Sequence, residues 1–136
     1  MAWEFYGLDR VAQELVLNAR IRDRDSLNQS FKMRESVAYG LERFWGEHLR
    51  LMPKEPDKGT YWKQTWDELV ELMKKAGITL PSDRVSLDNP DGIKKMAEKL
   101  WEIPLKDQRV ALAVLTQLCD SLVWWTQRYK GTGDAD

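Results

Sequence analysis

The sequence holds one cysteine, Cys119, and one histidine, His48, in 136 residues. A single thiol excludes an internal disulfide framework, and beside a single imidazole it leaves a structural zinc site without its ligands. No metal is expected, and a reducing compartment suits the chain. No apolar run approaches the ~20 residues of a membrane span. The opening MAWEFYGLDR has no basic stretch followed by an apolar one. The expectation is a cytoplasmic protein with no membrane partner. An excess of charge is missing too: 21 Lys and Arg face 22 Asp and Glu, a formal net charge of -1. No bulk field draws such a chain onto nucleic acid, so any contact of that kind has to be local. Glycine-rich phosphate loops, nucleophile elbows, His/Cys metal spacings and the repeated paired acids of carboxylate metal bundles are all absent. No cofactor is expected.

Tryptophan is what the chain has in abundance, with seven in 136 residues. One hydrophobic core uses part of that stock, and the surplus suits an interface. The length fits one domain, which at this size buries a little under ~70% of its unfolded surface. That domain is expected over residues 1–131, with 132–136 as a flexible tail.

No segment sustains the period-two alternation of a half-buried strand, whereas apolar residues recur at three- and four-residue steps throughout. The expected fold is therefore an all-α bundle of about five helices. The first spans Leu8 to Ile21 on the stripe Leu8, Val11, Ala12, Leu15, Val16 and Ala19, with Ala2 as an alternative start. The second opens at Ser26, where SLNQ offers a capping side chain, and could run to Met52 on Leu27, Phe31, Ala38, Leu41, Trp45, Leu49 and Met52. PKEPDKG, from Pro53 to Gly59, reads as a polar loop. The third helix opens at Thr60 and closes at KKAG, with Gly77 as the left-handed cap. ITLPSDRVSL reads as irregular. Asn89 and Pro90 then cap and open the fourth helix, which carries Ile93, Met96, Ala97, Leu100 and Trp101. The fifth spans Leu105 to Lys130 and is apolar over most of its circumference, which marks a largely buried, central helix.

Three constellations are candidate sites. In SLVWWTQRYKG, Trp125 continues the face of Leu115, Leu118 and Leu122, whereas Trp124 is rotated ~100° away. Trp125 is assigned to the core. Trp124 either covers a neighbouring helix or, with Arg128, Tyr129 and Lys130, forms a partner-binding patch or a stacking platform. In NARIRDRD, the arginines Arg20, Arg22 and Arg24, followed by Lys32 and Arg34, suit a nucleic-acid backbone through bidentate phosphate contacts. The interleaved Asp23 and Asp25 suit a salt-bridged, solvated helix end instead. Arg34 projects into the apolar stripe, where an arginine snorkels, pairs with an acid or faces a polar partner. Asp107 and Asp120 read as caps or polar faces. Finally, RFWGEH places Arg43 and His48 in an Arg-x4-His arrangement, although His48 also projects onto the apolar side, as a core histidine would.

That last spacing resembles the catalytic signature of HEPN ribonucleases. The resemblance implies that Arg43 holds a phosphate while His48 performs acid–base chemistry on a ribose hydroxyl. At the level of architecture the whole chain resembles a different group, the small all-helical subunits of CRISPR effector complexes. Its size, its run of about five helices, and a long apolar last helix ending in VWWTQRYK carry that likeness. The resemblance implies a non-catalytic scaffold subunit in antiviral defence. Its partners would be protein subunits of a larger complex, with an RNA or single-stranded DNA backbone contacted through basic patches.

Overall fold

Gly40 divides what the spacing presents as one long helix. It takes φ +96°, a conformation that side chains beyond glycine rarely adopt, and the chain turns there into a new helix. The computed structural model describes residues 7–130. The expected tail at 132–136 and the alternative start at Ala2 lie outside them. Within them the chain forms six α-helices and no strand: α1 (Leu8–Arg22), α2 (Gln29–Ser36), α3 (Leu41–Leu51), α4 (Pro56–Lys75), α5 (Pro90–Trp101) and α6 (Leu105–Lys130). Short 3-10 turns at Arg24–Asn28 and Val37–Tyr39 flank α2. None of these helices is long and apolar enough to cross a membrane.

The break at Gly40 corrects the expected second helix and resets its buried face. Ala38 is exposed and Phe31 half-buried, whereas Gln29, Ser30 and Met33 are buried. Ser26 does not cap a helix. Asp23 caps the 3-10 turn by accepting from the Asp25 amide, and the Ser26 hydroxyl is buried without a partner. Gln29 accepts a hydrogen bond from Trp62 Nε1 at 2.8 Å. The expected loop at Pro53–Gly59 is corrected as well. Pro56 opens α4, because the first turn of a helix tolerates its missing N–H. Gly59 is a buried helical residue, where a Cβ would lie 3.1 Å from the His48 carbonyl oxygen of α3. A bare backbone at Gly59 is what lets α3 and α4 pack so closely.

Other local signals appear as the sequence has them. The Asn89 side chain accepts from the Gly92 amide, with Pro90 at the first helical position. Gly77 closes α4 in a Schellman arrangement, its own amide bonding Lys74 O at 3.0 Å and the Ile78 amide bonding Met73 O at 2.9 Å.

Three buried tryptophans, Trp45, Trp62 and Trp66, fill the space between α3 and α4. Phe44 joins them with its ring centroid 5.0 Å from Trp62 and 6.5 Å from Trp66. The segment after α4 folds back over this layer, burying Leu80 and accepting from Trp66 Nε1 at the Pro81 carbonyl. Helix α6 packs on α1, α2 and α4. Its buried face is Ala111, Val114, Leu115, Leu118, Cys119, Ser121, Leu122 and Thr126. Burial is confined to that side, because Leu105, Val110 and Trp124 are exposed. At the junction of three helices lies a buried hydroxyl chain: Ser30 Oγ is 2.5 Å from the Tyr61 hydroxyl and 2.6 Å from Thr126 Oγ1. Burial pushes the Tyr61 phenol far above its ordinary range, so it stays protonated.

Candidate functional site

Two pairings fix the direction of α1 against α6. Ser121 Oγ donates to Asp9 Oδ1 at 2.7 Å, and Arg20 Nε donates to the Tyr129 carbonyl at 2.9 Å. Residue numbers rise together in both helices, so α1 runs parallel to the last part of α6. Parallel helices bring two negative C-terminal ends side by side, and cations are stabilising there. The basic cluster of NARIRDRD sits at that junction. Arg24 Nη2 reaches the Lys130 carbonyl at 3.4 Å, and Lys130 Nζ donates to Asn28 Oδ1 at 2.6 Å. Arg20 and Arg24 thus satisfy carbonyls that the last turn of a helix leaves without partners. Arg22 is half-buried, with Nε and Nη2 enclosed and unpaired. Arg34 pairs with Asp120 of α6 at 2.6 Å, on the surface. It does not lie in an apolar stripe, because the break at Gly40 removes the continuous helix on which that projection rested.

The residues first grouped as a partner patch divide in the same place. The Tyr129 hydroxyl accepts from Gln13 Nε2 at 2.8 Å, and its ring stacks on Trp125 at 5.9 Å between centroids. Lys130 lies over the Phe31 ring and is bonded to Asn28. Trp125 is half-buried against the core, its Nε1 enclosed without a hydrogen bond. Trp124 points outward at 53% exposure, with the Arg128 guanidinium 4.6 Å above its ring centroid. Val110, Ala113, Gln117, Asp120, Trp124 and Arg128 follow one another at three- and four-residue steps and are all exposed. They form one solvent-facing strip along α6. Trp101, at the end of α5, is exposed as well at 66%.

Arg43 and His48 open into different hollows. Arg43 is exposed, stacks on Tyr39 at 5.6 Å and shares a hollow of about 230 Å³ with Lys32, Glu35 and Trp62. His48 is 4% exposed and lines a cleft of about 640 Å³ between α3, α4 and the segment before α5. Its Nδ1 donates to the Trp45 carbonyl one turn back, and the Trp45 ring meets it edge-on at 5.5 Å. Burial holds the imidazole below its ordinary range. The Trp45 carbonyl opposes that shift, Lys63 adds to it, and Asp67 opposes it. Lys63 and Asp67 are themselves bonded across one turn of α4 on the cleft wall. Arg84, Val85 and Leu87 of the same wall come from ITLPSDRVSL, a stretch whose spacing carries no sign that it folds over α3 and α4. Among the described residues no group of three His, Cys, Asp or Glu side chains is placed to hold a metal ion.

Comparison with family models, curated proteins and solved structures returns no match to this chain.

Proposed function

We propose that the protein is a non-catalytic helical subunit that holds a partner protein through the outer strip of α6. The larger assembly is of the kind implied by its resemblance to the small subunits of CRISPR effectors, in a cytoplasmic setting. The observation that carries this reading is Trp124, 53% exposed beneath the Arg128 guanidinium on a helix whose opposite face is core. Tryptophan and arginine are the residue types most enriched at the energetic centres of interfaces. A tryptophan side chain can bury ~250 Å², so covering the exposed half removes ~130 Å² from water, worth ~3 kcal/mol at ~25 cal/mol per Å². That is enough for one anchor to dominate an interface.

A nucleic-acid backbone is a second partner in this proposal, in a restricted form. Arg20, Arg24 and Arg34 have partners within the chain, which leaves the exposed cations Lys32, Arg43 and Arg128 to meet phosphate. The ribonuclease alternative has no geometric support, since Arg43 and His48 share no hollow that a single phosphate would occupy.

Affinity capture of the tagged chain from its native host, followed by mass spectrometry, tests the reading. Stoichiometric protein partners are expected. Recovery of the chain alone would count against it, as would RNA cleavage by the purified chain that disappears in His48→Ala while the fold survives.

A further inference from the structure

The outer strip of α6 carries a charge pattern as well as an anchor. On a helical projection Lys106 and Arg128 fall in line with Val110, Gln117 and Trp124, within about 20° of one direction, and all five are exposed. Arg109 stands at the edge of the same strip, also exposed. Among the described residues none of these three cations forms a hydrogen bond or an ion pair. Arg128 leans on the rings of Trp124 and Trp125, which leaves its charge uncancelled. Asp120 is the one exposed acid of α6, and Arg34 already neutralises it at 2.6 Å. Asp107, the other acid of the helix, is half-buried and turned ~100° from Lys106. The strip therefore has unneutralised positive charge at both ends and Val110, Ala113, Gln117 and Trp124 between them.

A second copy of the chain is a poor occupant for this face. Laid antiparallel so that the bulky Trp124 falls on the small Ala113, the copy puts its Arg109 opposite Arg128. Laid parallel in register, it puts Arg128 opposite Arg128 and Lys106 opposite Lys106. Like charges facing each other disfavour both arrangements. A nucleic-acid strand carries a charge every few Å, whereas Lys106 and Arg128 stand about six turns, or ~33 Å, apart. An extended peptide finds no sheet edge to join, since the described residues form no strand. A straight row of side chains at three- and four-residue steps is the surface on which another helix packs. We propose that the partner presents an amphipathic helix, apolar along its middle and acidic toward both ends, that lies along α6. Its acids meet Lys106 and Arg109 at one end and Arg128 at the other, and its apolar middle covers Val110, Ala113 and Trp124. This rests on the α6 strip being the partner-binding face and specifies what binds there.

A displayed library of helices about 24 residues long spans the strip at ~1.5 Å per residue. Its members carry apolar residues at three- and four-residue steps, with positions near both ends randomised over Glu, Gln and Lys. They are selected on the immobilised full chain, and survivors are sorted by loss of binding to Trp124→Ala. Binders that depend on Trp124 should carry Glu over Lys at the end positions by at least about fivefold. For one such binder, replacing Lys106 and Arg128 together by glutamine should raise Kd about three- to tenfold at low salt, and by less at high salt. Both positions are exposed, so the fold is left intact. Trp124-dependent binders with no bias toward Glu, or an unchanged Kd in the double variant, would overturn the proposal and leave α6 as a binding face. Failure to recover any Trp124-dependent binder would overturn that reading too. Single-stranded RNA held by the wild type and released by the double variant, with no such binder recovered, would give the face to nucleic acid instead.

Discussion

Replacing Ser30 with alanine removes the middle member of the buried hydroxyl chain that ties α2 to α4 and α6. Its Oγ stands 2.5 Å from the Tyr61 hydroxyl and 2.6 Å from Thr126 Oγ1, and all three residues are fully buried. Each hydroxyl left without a partner inside the core costs ~1 to 3 kcal/mol. Ser30→Ala removes the partner that Tyr61 and Thr126 share and leaves the Tyr61 hydroxyl with Thr126 alone, whereas Thr126 can also turn to a carbonyl one helical turn back in α6. The expected loss is ~2 kcal/mol. Tyr61→Phe leaves Ser30 bonded to Thr126 and should cost only ~1 kcal/mol. For a domain of this length each kcal/mol shifts Tm by ~3 to 5 °C, so Ser30→Ala should melt ~3 to 5 °C below Tyr61→Phe. The triple variant Ser30→Ala, Tyr61→Phe, Thr126→Val removes every member together and leaves nothing unpaired. It should therefore cost no more than Ser30→Ala alone. Urea unfolding at constant m-value, checked by calorimetry, measures all three. A larger loss in Tyr61→Phe than in Ser30→Ala, or a triple variant equal to the sum of its parts, would refute the reasoning.

Gly59→Ala should destabilise by ~1 to 2 kcal/mol, because the added Cβ would crowd the fixed His48 carbonyl at 3.1 Å; unchanged urea unfolding would show that α3 and α4 can separate freely. The folded His48 imidazole is held below the ordinary value of 6.5, so the unfolded chain takes up its proton first as the medium is acidified. Its contribution to stability is complete above pH ~6.5 and is lost as pH falls from there toward the folded value. Melting temperatures between pH 7.5 and 5 should therefore fall more steeply in the wild type than in His48→Gln. Replacing Arg20 and Arg24 with glutamine removes donors to the last carbonyls of α6 and should lower stability by ~0.5 to 1 kcal/mol each, with less effect at high salt. If those arginines also bind a nucleic-acid backbone, retention of single-stranded RNA at low salt should fall in the same variant. Unchanged retention would leave them as clamps on α6 alone.

The sequence reveals the helices wherever a local signal closes them. Asn89 followed by Pro90, and the lysines before Gly77, carry their own hydrogen-bonding logic, and the structure uses both. Gly40 was opaque because a glycine inside a periodic stretch costs a helix only ~1 kcal/mol, so nothing local distinguishes a tolerated residue from a break. The burial of His48 was legible from its position on the apolar side of α3. The cleft beside it was not, since it depends on an aperiodic segment folding over two helices. Trp124 and Trp125 diverge as adjacent helical residues must, and that geometry separated the outward ring from the half-buried one. The arginines of NARIRDRD could be read as a phosphate site or a solvated helix end. Their engagement with α6 carbonyls follows from the parallel packing of α1 on α6, which no short stretch of sequence encodes.

Sedimentation of native extracts through a density gradient, comparing the wild type with Trp124→Ala and Trp125→Ala at matched expression, probes the α6 surface most directly. Each purified variant is melted in parallel. Trp124→Ala should leave the large assembly and sediment as free chain, with Tm within ~2 °C of the wild type. Trp125→Ala should lose ~2 to 4 kcal/mol of stability, through its contacts with the core and its stacking on Tyr129. Equal losses of Tm in both variants, with Trp124→Ala still co-sedimenting with the assembly, would contradict a partner-binding role for the outer face of α6.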